Sequence, residues 1–147
     1  MRTLPRLWLW WLIVILCCTI ALSLLPLVAP NPSRRLLSFL VFGDAARVDA
    51  LPAAAVHYIV FINGVVGAVM AGWSAALLLI VAGPFRRGER WAWQAVTVSL
   101  LAWFVPGTLF SIWSGVLLNV AVNCLFAAAF AIPLLATHRR FHAANVY

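Results

Sequence analysis

The sequence predicts an all-α, polytopic membrane protein with four transmembrane helices and an interfacial segment between the first and second of them. Two observations predict it. Hydrophobic residues make up 66% of the 147-residue chain and charged residues only 9%, far from the roughly half apolar and quarter charged balance of soluble domains. The apolar residues also fall into four runs, Leu7–Ala29, Val56–Ala82, Trp91–Ile112 and Val116–Ala136, each of about the 20 residues that a helix needs to cross the hydrocarbon. The charges lie between the runs, so one transmembrane domain is expected over residues 1–147.

The first span opens with Trp8, Trp10 and Trp11 behind Arg2 and Arg6, an aromatic anchor at a membrane interface. Pro26 and Pro30 are expected to end it. Its apolar run exceeds a signal-peptide core and no small-x-small cleavage site follows closely, so an uncleaved helix is expected. The stretch from Pro30 to Ala55 is the one long connection. Within it Leu36–Phe42 is apolar but too short to cross, and reads either as an interfacial helix or as a hydrophobic loop capping the bundle.

In the second span Gly64, Ala68, Gly72 and Ala76 recur at every fourth position, beside a parallel row of Asn63, Gly67, Ala71 and Ala75. Small residues at that spacing let another helix backbone approach closely, where van der Waals contact drives association in lipid. Pro106-Gly107 falls in the third span. If the helix continues to Ile112 the proline kinks it; if it stops at Val105 the pair is a turn. Balanced span lengths favour the kink. The fourth span carries the row Ser111, Gly115, Asn119, Asn123, Ala127 and Ala131. The second and fourth spans are therefore expected to be packing partners, within one molecule or across an oligomer.

All ten basic residues are arginine, and the formal charge is +7. In a soluble protein that excess would suggest nucleic acid; here the arginines flank apolar helices with no binding module, which fits membrane orientation instead. Arg2, Arg6, Arg86, Arg87, Arg90, Arg139 and Arg140 share one side under an even number of crossings. Arg34, Arg35 and Arg47 lie on the other with Asp44 and Asp49. The positive-inside rule then puts both termini in the cytoplasm of a cell.

Asn63, Asn119, Asn123, Thr108 and Ser111 converge in depth in the outer half of the expected bundle, with Trp73 and Trp103 nearer the middle. These residues are the candidate cleft for a lipid or other small hydrophobe. The plainer reading is that the amides bond helix to helix and the tryptophans pack between helices. No Asp, Glu, Lys or Arg falls inside a span, which argues against ion-coupled transport. His57 sits at one surface and His138 and His142 at the other, too few ligands for a metal. Cys17, Cys18 and Cys124 lie in apolar runs and read as small hydrophobes. Glu89 reads as part of a loop salt-bridge cluster near lipid headgroups. No nucleophile elbow, phosphate loop or paired carboxylate set is present, so neither an enzyme nor a cofactor is expected.

Gly64 through Gly72-Trp73, then Gly83-Pro84-Phe85-Arg86-Arg87-Gly88-Glu89-Arg90-Trp91-Ala92-Trp93, then Trp103-Phe104 onward to Asn119 and Asn123, resemble a group of small four-helix bacterial integral membrane proteins. The resemblance implies a bacterial inner-membrane protein and adds no catalytic residue. Where that group carries an acidic residue before the threonine of the third span, this chain has Gly107. The resulting expectation is an accessory or scaffolding protein that packs against other membrane helices, as a homo-oligomer or a subunit of a larger complex. The alternative is a binder or facilitator of lipids or small hydrophobes.

Overall fold

The computed structural model describes residues 6–142 of the chain, and among them the only secondary structure is helical. Helix α1 runs over Arg6–Val28 and passes through Pro26 without ending there. The break falls at Ala29 (φ −140°, ψ 69°), because a proline ring crowds the preceding residue out of helical geometry. Pro30 then opens α2, Pro30–Phe42, at the first helical position where its missing N–H costs nothing. Gly43 stops α2 in the left-handed conformation (φ 72°), its N–H donating to the Phe39 carbonyl at 2.8 Å. Residues 36–42 are thus the second half of a helix too short to cross, and not a loop.

After a 3-10 turn at Arg47–Ala50, α3 spans Ala53–Ile80 and continues through one wider π-type turn, Val81–Phe85. Pro84 causes the widening. It offers no N–H to the turn before it, and the Arg86 N–H reaches back to the Val81 carbonyl at 3.2 Å. The continuous helix is 33 residues long, more than the roughly 20 that a crossing requires. Helix α4, Arg90–Trp113, continues through Pro106, so the proline lies within the span and is not its end. The chain then turns at Gly115 (φ 72°), where the Val116 N–H donates to the Ser111 carbonyl at 2.9 Å. Helix α5 is Leu117–His142. Four of the five helices, α1, the extended α3, α4 and α5, are long and apolar enough to cross a membrane.

The helices pack as two pairs, α1 with α3 and α4 with α5. Contact between α1 and α5 joins the pairs, while α3 meets α4 only sparsely. The buried apolar cluster lies wholly toward the end that carries both termini. It consists of Leu12 and Leu16 from α1; Leu77, Val81 and Phe85 from α3 and its extension; Ala92, Val96 and Leu100 from α4; and Phe130, Leu134 and Phe141 from α5. Phe85 and Phe141 meet with ring centroids 4.8 Å apart. Toward the other end, beneath α2, the pairs are held by small and polar residues instead.

The principal partner of α3 is α1, which corrects the expectation that α3 and α5 pair within one molecule. Gly67 decides the match. It is buried, and a Cβ there would collide with the Ser23 carbonyl and press on the Pro26 side chain. Only glycine permits that approach of two backbones.

A second contact ties α1 to α5. Pro133, buried within α5, leaves the Ala129 carbonyl without its usual donor one turn on. The indole N–H of Trp11 fills the gap, donating to that carbonyl at 3.0 Å. In a bilayer no water can do so. Nearby, the Trp93 indole N–H donates to the Leu134 carbonyl at 3.0 Å and the Thr137 hydroxyl to the Pro133 carbonyl at 2.7 Å.

Replacing Trp11 by Phe is expected to lower stability in mild detergent by about 1–2 kcal/mol, the worth of an orphaned carbonyl. Adding Pro133→Ala restores a backbone donor, so the double variant should lose less than the sum of the single losses. Additive losses in thermal unfolding would contradict the clasp. In the same assay Gly67→Ala should cost about 1–3 kcal/mol through overpacking. Gly72→Ala, with nothing within 4 Å of its Cβ position, should instead stabilise by up to about 1 kcal/mol through helix propensity.

Candidate functional site

Helices α4 and α5 are cross-linked near the Gly115 turn by a short polar ladder. Asn119 Nδ2 donates to Ser111 Oγ at 2.8 Å, and Ser111 Oγ donates to the Gly107 carbonyl at 2.7 Å. One turn deeper, Asn123 Nδ2 donates to Thr108 Oγ1 at 3.4 Å. Thr108, Ser111 and Asn123 are buried. Their hydrogen-bonding groups are turned toward one another, so the plainer sequence reading, amides that bond helix to helix, describes these contacts. Each such bond in a membrane averages about 0.6 kcal/mol.

Asn63 does not join them. It sits half-buried on α3 and makes no side-chain hydrogen bond among the described residues. Trp103 stacks edge-on against Phe126 at 6.1 Å, and both Trp73 and Trp103 pack partly buried against the apolar cluster. The two tryptophans therefore fill space between helices. Of the α3 rows, Gly67 is used within the chain, whereas Ala68, Gly72 and Ala76 are exposed and Gly64 is half-buried. Nothing lies within 4 Å of a Cβ built at Gly64 or Gly72. Gly115 belongs to the α4–α5 turn and Ser111 to α4, so the row predicted for the fourth span begins only at Asn119.

At the α2 end each arginine has a partner within the chain, although Arg34 Nε is buried without a hydrogen bond among the described residues. Asp49 takes Arg34 at 3.0 Å and Arg35 at 2.7 Å, and the Arg47 guanidinium lies 4.8 Å over the Phe42 ring. Ser38 joins α2 to the 3-10 turn: its hydroxyl donates to the Asp44 carbonyl at 2.7 Å and accepts from the Val48 N–H at 3.2 Å. These contacts fix α2 to the 3-10 turn that follows it.

At the opposite end Glu89 is gripped from two sides, by Arg87 Nε at 2.6 Å and by the Trp91 indole N–H at 2.7 Å. The Arg87 hydrogen bond and then the Trp91 one favour the carboxylate and hold its pKa below the ordinary value of 4.5. Trp93 lies edge-on to His138 at 5.1 Å. The side chain of His142 lies outside the described residues, as do Arg2 and the other residues before Arg6. No three His, Cys, Asp or Glu side chains among the described residues gather to hold a metal ion.

Sequence reasoning missed Ser74, Trp11 and Trp93. Ser74 is fully buried and its hydroxyl has no partner among the described residues; the signal was its place two turns beyond Gly67 on the same face. The sequence marks Trp11 only as an interfacial anchor and Trp93 only as part of the motif that carries the resemblance. The clue to Trp11 was Pro133, since a proline inside an intramembrane helix calls for a donor from elsewhere. No family model, curated protein or solved structure matches the chain.

Because the Glu89 pKa is lowered on folding, the loop gains stability from the carboxylate above the unfolded value and loses it as pH falls through the folded one. The Trp91 indole N–H resonance should therefore titrate with a midpoint below 4.5. Glu89→Gln should remove that titration. A Trp91 resonance indifferent to pH would break the assignment.

Proposed function

We propose that this chain is an accessory or scaffolding protein of a bacterial inner membrane. It crosses four times with both termini in the cytoplasm and uses the outward face of α3 to pack against another membrane helix. The partner is a second copy or a subunit of a larger complex. The observation that carries the reading is the division of labour on α3. Gly67 is committed to α1, while Gly64, Ala68, Gly72 and Ala76 form a second small-residue row; its last three members are exposed, and among the described residues nothing lies within 4 Å of a Cβ at Gly64 or Gly72. Beside lipid tails alone, larger apolar side chains would gain more dispersion contact. A second backbone benefits from small ones. The orientation follows from the arginine count, with six described arginines at the end bearing the termini and three at the other. The α2 helix, with Leu36, Phe39, Val41 and Phe42 exposed, suits a position in the outer interface.

A second reading is a lipid or small-hydrophobe binder. Two observations favour it. The shared apolar core is confined to one end, and the half-buried Asn63 carboxamide on α3 makes no side-chain hydrogen bond among the described residues.

Cysteine cross-linking in native membranes distinguishes the two. Under the first, Ala68→Cys in a chain with Cys17→Ala, Cys18→Ala and Cys124→Ala should form a covalent species with a second copy or another protein. Gly64→Leu with Gly72→Leu should abolish it without lowering thermal stability. If Ala68→Cys stays monomeric, while Asn63→Leu displaces co-purified lipid, the second reading replaces the first. Reporter tags at the two ends should both face the cytoplasm; tags on opposite faces would overturn the topology on which either reading stands.

A further inference from the structure

The two ends of the molecule treat their arginines differently. At the α2 end Arg34 and Arg35 share Asp49 and Arg47 stacks on Phe42, so each cation has an internal partner. At the opposite end Glu89 is the single carboxylate among the described residues, and Arg87 occupies it. Arg6, Arg86, Arg90 and Arg139 are exposed and have no ion-pair partner among the described residues.

The fold gathers these cations. The Phe85–Phe141 contact at 4.8 Å seats the end of α3, with Arg86 following it, against the last turn of α5 that carries Arg139 and Arg140. The Trp93–His138 contact at 5.1 Å brings the first turn of α4, which opens at Arg90, to the same turn of α5. The first turn of α4 has no side-chain cap, so its free N–H groups add partial positive charge. Three helix ends thus present guanidinium groups at the level where apolar spans give way to polar chain, which is headgroup depth.

We propose that this end is a binding surface for anionic phospholipid headgroups, with Arg86, Arg90 and Arg139 as the phosphate-holding residues. Guanidinium groups suit the task because their forked donors match phosphate oxygens in pairs. Charge complementarity at a fixed depth selects a lipid of the surrounding leaflet over a free anion, because the acyl chains hold the phosphate in the plane of the arginines. The assignment is independent of which partner helix, if any, covers α3.

The purified full chain in neutral detergent micelles tests it, titrated with phosphatidylglycerol or with phosphatidylcholine of the same acyl chains and read by native mass spectrometry of retained lipid. The unmodified chain should retain phosphatidylglycerol at least tenfold more tightly. Each arginine near an anionic surface is worth about a fivefold change in affinity, so Arg86→Gln with Arg90→Gln and Arg139→Gln should weaken retention on the order of a hundredfold. The corresponding triple Lys variant should keep more than half of the preference on a logarithmic scale, which separates charge from folding. Arg34→Gln with Arg35→Gln, at the other end, should leave it unchanged. Equal retention of the two lipids, or undiminished retention by the triple Gln variant, overturns the proposal. Full displacement by millimolar inorganic phosphate overturns the lipid assignment in favour of a free-phosphate site.

Discussion

In a hydrocarbon slab a backbone carbonyl has no solvent to turn to, and this requirement governs how the helices are arranged. Four prolines stand inside the long helices, at Pro26, Pro84, Pro106 and Pro133, and each deletes a donor. Two of the deletions have visible consequences. At Pro84 the helix widens by one residue and Arg86 reaches back to Val81, a local repair that lengthens α3 into the loop. At Pro133 the repair comes from another helix, because Trp11 of α1 donates to Ala129 of α5. That bond links the α1–α3 pair to the α4–α5 pair at a point where few other polar contacts do. A proline in one helix therefore specifies a tryptophan in another, more than a hundred residues away in the chain.

The same solvent explains why the two ends of the bundle are built from different materials. Lipid tails are as apolar as leucine, so burying leucine against leucine gives little drive for helices to associate. Association must come from close packing or from polar contacts. The end with the termini combines shape with indole clasps: Phe85, Phe130 and Phe141 interlock with Leu12, Leu16 and Leu77, and Trp11 and Trp93 donate to carbonyls of α5. The α2 end uses backbone approach at Gly67 and hydrogen bonds at Ser111, Asn119, Thr108 and Asn123. These act within each pair, which leaves α3 and α4 only sparsely in contact.

The spans were legible because length and apolarity are local properties, and even the π-type turn only extends α3 beyond the run Val56–Ala82. Helix pairing was not legible, because it depends on which of several small residues meets a particular carbonyl. Gly64, Gly67 and Gly72 look equivalent in the sequence; only Gly67 faces Ser23. The row Ser111, Gly115, Asn119 misled for a physical reason. A residue spacing of eight aligns two side chains on one face of a straight helix, and it also aligns them across a tight turn between two helices. Gly115 with φ 72° makes it the turn, and the Asn119–Ser111 bond is the consequence. The polar grouping was readable in composition, then, but its purpose as glue depended on a conformation that only Gly115 permits.

Helix α3 is where these arguments meet. Its Gly67 row and its Gly64 row lie about 100° apart around the axis, so the helix can accept a close backbone on each of two sides. This chain supplies one, α1. Facing lipid alone, the second row forgoes the dispersion contact that larger side chains would make, and its glycines weaken the helix by roughly 1 kcal/mol each relative to alanine. Both penalties are offset when another backbone lies in the groove. That balance is what supports the proposal that α3 holds a neighbouring helix in its second groove.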